Sequence, residues 1–361
     1  MKSGLISIMM PAYNAEGYIS QAVECILAQS NPFWELIIVN DGSVDGTGGI
    51  IRRYNDPRVK VIFQENAGEA AARNTALENI SGEFLAFLDA DDFFLPNHFQ
   101  VTVDYLISHP QLDGVYTDGH YCDQSGVLIQ TLSSRRRGPF VGDIFDELVR
   151  ASDVFGPPVC VVLRTRLISQ QNLRFDTENG LGTDWDFFIR FSNQARFGYL
   201  EQFTCLYRVH QTNLTLLTEN DQRKSSQARY RIKAIKNARF NQCALDVRTA
   251  VFYDLLINLL VAAPSRQMNI IEYPEFGELP AEEQARLLRL MASKAIMAGV
   301  EKHYITTWLA RSNALNPGDR RGKILSVLYN LSPLVSKIVL KLKTFNQSIQ
   351  SQGSPFGKIG S

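Results

Sequence analysis

Four times in the first 92 residues, a short apolar run stops abruptly at a loop of turn residues and acids. Leu5 to Met10 closes on Pro11-Ala12-Tyr13-Asn14. Trp34 to Val39 closes on Asn40-Asp41-Gly42-Ser43-Val44-Asp45-Gly46. Val59 to Phe63 closes on a loop through Asn66-Ala67-Gly68, and Phe84 to Leu88 on Asp89-Ala90-Asp91-Asp92. Runs of this length bounded by such loops read as buried strands. Between them the spacing turns helical. Ile19, Val23, Ile26 and Leu27 share a face over Glu16–Gln29, a helix runs through Ile50, Ile51 and Tyr54, and Glu69–Glu78 is rich in alanine. Repeated strand–helix units predict an α/β fold with a mostly parallel, doubly wound sheet and right-handed crossovers. All four loops then leave one edge of that sheet, where open α/β folds bind ligands.

Asp89, Asp91 and Asp92 crowd three carboxylates into four residues. Like charges this close are unfavourable unless a cation shares them. Oxygen ligands suit Mg²⁺ or Mn²⁺, above all when phosphate oxygens complete the shell. Asp89 and Asp91 are therefore candidates for a metal–nucleotide site, and an acidic helix-capping turn before Pro96 is the plainer alternative. No Gly-x-Gly-x-x-Gly follows the first strand and no Gly-x-x-x-x-Gly-Lys-Ser/Thr occurs, which disfavours a dinucleotide-binding domain or a P-loop.

Past Gly114 the pattern changes. Val115–Cys122 and Val127–Leu132 flank the turn Asp123–Gly126 and predict a hairpin. Arg135-Arg136-Arg137 reads as a solvated crossing or as an anion contact. Asp143–Ala151 and Thr183–Asn193 are predicted helices, Val159–Leu163 and Gly198–Leu206 predicted strands. Beyond about Leu216 the chain turns helical, with long patterns over Gln222–Leu260 and Ala281–Arg311 joined through Ile270–Pro280. The expected organisation is a first domain over 1–215, a helical region over 216–345 and a disordered tail over 346–361. Leu334, Val335, Ile338, Val339 and Leu342 form an apolar stripe beside Lys337, Lys341 and Lys343. Such a helix docks on its own protein or lies on an anionic membrane.

Charge is balanced, 37 basic against 37 acidic residues, so nothing points to nucleic acid. Five scattered cysteines without a Cys-x-x-Cys pair argue against zinc or a disulfide framework and fit a reducing compartment. Met1–Gly4 shows no signal-peptide pattern. The expected location is cytoplasmic, with peripheral contact at the inner face of the membrane as an option.

Taken in order, Met10–Asn14, Val39–Asp45, Asn66–Gly68 with Ala72-Arg73-Asn74, and Asp89-Ala90-Asp91-Asp92 resemble the motifs of family 2 glycosyltransferases. Those are inverting enzymes of GT-A fold that use nucleotide sugars, and the resemblance covers about the first 215 residues. It implies that Pro11, Ala12 and Tyr13 border the nucleobase and ribose. It implies that Asp41 reads the uracil edge of a UDP-sugar, with an Asx-turn as the structural alternative. Asp45 reads as a helix N-cap. Arg73 is implied to face the nucleotide or its diphosphate, or else to pair on a helix face. Asp89-Ala90-Asp91 matches the Asp-x-Asp motif, with Asp91 the more direct ligand of Mn²⁺ or Mg²⁺, Asp89 on the ribose or the metal shell, and Asp92 behind them. Asp184 falls at the catalytic base, where the family carries Glu-Asp and this chain has Thr183-Asp184; Asp186 is the weaker candidate. Tyr207-Arg208-Val209-His210 matches a Tyr-Arg-x-His segment, placing His210 at the diphosphate or metal and Arg208 in support. The implied partners are a UDP-sugar and a glycan or lipid-linked glycan acceptor, as in bacterial polysaccharide synthesis. A catalytically inactive scaffold, raised by Thr183, and a sugar-1-phosphate nucleotidyltransferase, lowered by the first loop, are the rival readings.

Overall fold

The four apolar runs form the parallel half of one sheet. In the computed structural model, which describes residues 1–178, 180–262 and 269–341, they are β1 (Lys2–Ala12), β2 (Trp34–Asp41), β3 (Val59–Gln64) and β4 (Gly82–Phe87). Leu5 to Met10 is buried residue after residue, as befits a strand covered on both faces. The crossovers run through α1 (Ile19–Leu27), α2 (Thr47–Ile51) and α3 (Glu69–Asn79). The order β3-β2-β1-β4 puts β2 on one side of β1 and β4 on the other. The chain therefore reverses winding direction at β1, and the crevice beyond the ends of β1 and β4 is a topological switch point. The first and fourth loops open there.

The first domain continues with β5 (Phe93–Phe94), α4 (His98–Ser108), β6 (Gly114–Cys122), β7 (Leu128–Thr131), α5 (Phe145–Arg150), β8 (Val161–Arg164), α6 (Thr165–Gln170), α7 (Thr183–Phe191), β9 (Phe197–Arg208) and α8 (Leu214–Leu217). β6 and β7 form the predicted hairpin. The far half of the sheet, β4-β8-β6-β9-β5, mixes directions: β8 runs antiparallel to both β4 and β6, and β6 pairs parallel with β9. β9 thereby carries Arg208 to the same edge as the acidic loop.

Of Arg135–Arg137, expected as a solvated crossing, Arg135 is exposed while Arg136 and Arg137 are tied down. Arg136 pairs with Asp118 at 3.0 Å and donates to the Thr117 and Phe155 carbonyls. Arg137 pairs with Glu147 and Asp153 at 2.7 and 2.6 Å. The loop is pinned to the sheet by its own charges.

Gly42 shows how closely the exits meet. Its φ is 71°, and a Cβ there would stand 2.6 Å from the Asn66 backbone nitrogen. Only glycine lets the second exit lie against the third.

His98 lies behind the acidic loop, fully buried, with its ring stacked on Phe94 at 4.0 Å and Nδ1 2.8 Å from the Thr204 hydroxyl. Burial pushes its pKa down from 6.5 to about 3. Between those values the unfolded chain binds a proton that the folded one refuses, so stability falls as pH drops below 6.5. The expected slope from this residue is about 1.4 kcal/mol per pH unit. Denaturant titrations at pH 7, 6 and 5 should show it, and His98→Gln should flatten the slope whatever it does to stability at pH 7. An unchanged slope would refute the assignment.

Residues from Asn220 onward form a second compact unit. Its helices are α9 (Asn220–Ile235), α10 (Leu245–Ala262), α11 (Pro274–Gly277), α12 (Ala281–Ala298), α13 (Lys302–Leu315) and α14 (Arg320–Leu331), with residues 333–341 also helical. Both long helical patterns are divided. The first turns back near Asn237, whose side chain accepts from the Arg239 N–H, so that Phe240 packs edge-on against Phe252 at 5.8 Å. The second is broken at Gly299, a left-handed cap with φ 76° that ends α12 before α13 begins at Lys302. Leu342, Lys343 and the tail expected over 346–361 lie outside the described residues. Among the described residues no helix is long and apolar enough to cross a membrane.

Candidate active site

The acidic loop is held from the far end of the sheet. The Arg208 backbone N–H donates to Asp92 Oδ1 (2.9 Å), and its guanidinium donates to the Asp91 carbonyl (2.9 Å), the Gln124 carbonyl and Gln21 Oε1 (both 2.6 Å). Arg208 is buried, and its cation lies 5.0 Å over both Tyr18 and Phe93. It fastens the loop. Asp92 points inward; burial first, then the charges of Asp91 and Asp89, hold its carboxyl well above the usual range.

Asp91 points the other way. Its Oδ2 stands 2.8 Å from His210 Nε2 and 3.3 Å from Asn213 Nδ2. His210 is oriented by Thr212, whose hydroxyl is 2.8 Å from Nδ1, by Asn213, which accepts from the His210 N–H at 2.6 Å, and by Tyr18 stacked at 4.6 Å. The two motifs are brought into contact across 119 residues of chain.

Asp89 faces Arg73. The guanidinium Nη2 bridges Asp89 Oδ1 at 2.8 Å and Glu69 Oε1 at 2.5 Å. Burial alone would lower the Arg73 pKa; the carboxylates of Glu69, Asp89 and Asp184 outweigh it and hold the group above its ordinary value. Burial raises Asp89 too, with Arg73 pulling it down and Asp91 and Asp184 pushing it up. Glu69 sits in the same field. Burial, against the pull of Arg73, and then Asp89, Asp184 and Asp91 take its carboxyl up to about 7. Sequence reasoning missed Glu69; its four-residue spacing to Arg73 on a helix was the available signal.

Asp184 reaches this field through aromatic packing. It lies in the first turn of α7, after Gly182 in a left-handed conformation with φ 78°. Phe187 and Phe188 pack edge-on against Phe87, the last residue of β4, at 6.3 and 5.5 Å. The segment entering α7 is caught by Asn74, which donates to the Phe175 carbonyl and accepts its N–H (2.9 and 2.7 Å). Phe175 stacks on Phe187 at 4.3 Å. The two aspartates of the turn differ sharply. Asp186 is buried and gripped by Arg190 at 2.6 and 2.9 Å. Asp184 is half-buried, with no hydrogen-bonded or ion-paired partner among the described residues. Thr183 is buried.

The remaining candidates lie at the exits of β1, β2 and β4. Tyr13 is exposed at the end of β1, beyond Pro11 and the buried Ala12. The loops of β1 and β2 clasp each other: Asn14 N–H donates to the Ser43 hydroxyl, and Val44 N–H to Asn14 Oδ1, both at 3.0 Å. Asp41 is buried and accepts from Gln64 Nε2, Ala67 N–H and Gly68 N–H at 2.7, 2.9 and 2.8 Å. Its carboxylate builds the wall between the second and third exits. Asp45 is not the N-cap of α2, which is Gly46; it lies one residue earlier and accepts from the Thr47 N–H (3.0 Å) in a turn that leads into the helix. Ala90 is buried between the two aspartates and makes room for them.

A divalent cation fits these residues. Asp91 Oδ2 and His210 Nε2 converge, and the loop's acids lack counter-charge enough to bring Asp89 and Asp92 into the ordinary range. Among the described residues no group of three or more His, Cys, Asp or Glu side chains is arranged to hold a metal ion by itself. Asp91 and His210 converge as a pair and Asp89 is engaged by Arg73, so an ion held here would take most of its ligands from water or phosphate oxygens.

A sheet of this order with carboxylates at its switch point defines a GT-A type glycosyltransferase fold. Staphylococcus aureus TarS 1–349, solved in complex with UDP-GlcNAc, superposes with a TM-score of 0.58 over 88% of this chain and 92% of that one, at 19% identity. The Glycosyl transferase family 2 model matches residues 7–165 of this chain. The putative teichuronic acid biosynthesis glycosyltransferase TuaG of Bacillus subtilis is 42% identical over 106 residues, 28% of this chain and 42% of that protein. The Escherichia coli UDP-Glc:alpha-D-GlcNAc-diphosphoundecaprenol beta-1,3-glucosyltransferase WfgD is 40% identical over 110 residues, 30% of this chain and 44% of that protein. The matched segment spans less than half the length of both these relatives.

Proposed function

We propose that this chain is an inverting, divalent-cation-dependent transferase. It moves a hexosyl or hexosaminyl unit from a UDP-sugar to a hydroxyl of a glycan or lipid-linked glycan acceptor in bacterial polysaccharide or glycoconjugate synthesis. The observation that carries the reading is the division of labour among the acids. Asp89 and Asp91 occupy the switch-point loop, and Asp184, unpaired among the described residues, shares their electrostatic field while Asp186 is held by Arg190. The UDP-sugar and lipid-diphosphate chemistry named for the relatives supports the choice of donor and acceptor.

In this mechanism the crevice beside Pro11, Ala12, Tyr13 and Asp41 takes the nucleoside. Asp89, Asp91 and His210 would hold the cation, and the chemistry it would supply there is neutralisation of charge on the diphosphate. Arg73, kept cationic by its carboxylate partners, adds a fixed positive charge facing the same side. Asp184 takes the proton of the acceptor hydroxyl as its oxygen bonds to the anomeric carbon. The bond to the diphosphate oxygen breaks on the opposite face, its electron pair leaves with UDP, and one displacement inverts the anomeric centre.

The test is a melting series with UDP, GDP and their sugars, each with and without Mn²⁺, followed by product analysis with pooled acceptors. UDP compounds should raise Tm only when Mn²⁺ is present, by the mass-action stabilisation of the folded state. The hexose or hexosamine that stabilises most should be the one transferred. A GDP-sugar preference would overturn the donor assignment, and stabilisation equal with and without the metal would overturn the cation's role. Transfer with retained configuration would overturn the single displacement.

A further inference from the structure

Exposed aliphatic side chains mean little when scattered and more when they line up. On α14, Ile324, Val327 and Leu331 are 60%, 58% and 79% exposed. At 100° per residue they fall within a sector of about 60°. The helix ends at Ser332, whose hydroxyl accepts from the Val335 N–H (3.4 Å) and opens the helical stretch 333–341. There Leu334, Val335, Ile338 and Val339 are again exposed, while Ser336 on the opposite side is buried. The sequence stripe foretold only the second of these faces. α14 extends it back by three residues that the sequence reading did not single out.

The charge along this surface has one sign. Arg320, Arg321 and Lys323 lie beside the first apolar face, Lys337 and Lys341 beside the second. Asp319, the one acid from Asn316 onward, is already bound to Arg289 at 2.7 Å and to the Arg321 N–H at 3.0 Å. The whole chain is charge-balanced, so this excess is local. A second copy docked face to face would bring the same cations against each other. An anionic bilayer complements both features: its acyl boundary takes the aliphatic side chains and its headgroup phosphates take the cations.

We propose that α14 and residues 333–341 form a docking face that seats this chain on an anionic lipid surface. The proposal stands apart from the transferase reading, because it concerns where the chain sits and not what it transfers.

Vesicle flotation with the full chain tests it. The wild-type chain should float with phosphatidylcholine vesicles containing phosphatidylglycerol. It should bind vesicles of phosphatidylcholine alone at least about tenfold more weakly, and lose the difference in high salt. The triple variant Leu331→Ser, Leu334→Ser, Ile338→Ser changes only exposed side chains, so its circular dichroism and Tm should match wild type. Its vesicle binding should fall about tenfold or more. Arg320→Gln with Lys323→Gln and Lys337→Gln should abolish the preference for anionic lipid. The proposal is overturned if the wild type does not float with anionic vesicles, or if the serine variant floats as well as wild type. It is equally overturned if light scattering finds a dimer that the serine variant converts to monomer, which would assign the face to a second copy.

Discussion

Asp184→Asn should lower sugar transfer about a thousandfold while leaving UDP binding within about twofold of wild type. The size is that of a positioned general base removed from a reaction that needs one. The amide is nearly isosteric and cannot take a proton. Donor affinity should survive because the groups assigned to the nucleotide lie on α3 and on the exits of β1, β2, β4 and β9, whereas Asp184 enters from α7. Asp186→Asn is the control. Asp186 is buried against Arg190, and losing that charge leaves the guanidinium underpaired in the helix, so the cost should fall on stability first. Isothermal titration with UDP and Mn²⁺, alongside single-turnover transfer, separates the outcomes. If Asp186→Asn loses the chemistry and Asp184→Asn keeps it, the base has been misassigned.

The parallel half of the sheet was legible because each of its signals is local. An apolar run, a loop of Gly, Asn or Asp and a helix start all lie within a dozen residues, so Leu5–Met10 and Phe84–Leu88 could be placed as strands without knowing their neighbours. The far half depends on long-range pairing. Nothing in Val161–Arg164 says that it inserts antiparallel between β4 and β6. Arg136 and Arg137 looked exposed because their partners Asp118, Glu147 and Asp153 lie elsewhere in the chain. The site divides in the same way. Asp89, Asp91, Asp184 and His210 could be named from motifs, but their partners could not. Asn74 holding Phe175 and Glu69 crowding the acids are contacts of the fold. Asp41 has a structural role that its motif concealed, tying the β2 exit to the β3 exit through two backbone N–H groups.

Asp91→Asn should weaken Mn²⁺-dependent nucleotide binding at least about a hundredfold, judged by what disturbing metal-site partners costs elsewhere. It should do so with little loss of fold. The side-chain amide oxygen that the substitution leaves can still accept from His210 Nε2, so the imidazole keeps its place. Removing the charge also relieves its neighbours, since Asp91 is among the groups that push the Glu69, Asp89 and Asp92 carboxyls upward. With one repelling charge gone, all three should ionise more readily, and stability of the ligand-free protein at pH 7 should hold or rise. A simple loss of packing predicts the opposite sign. Denaturant melts without nucleotide, beside UDP titrations with and without Mn²⁺, read both quantities on one variant. A less stable ligand-free protein would show that the acids are balanced by contacts other than the cation. Metal-dependent UDP binding that survives in Asp91→Asn but disappears in Asp89→Asn would move the ion to Asp89, leaving the Asp91–His210 pair as a brace between β9 and the acidic loop.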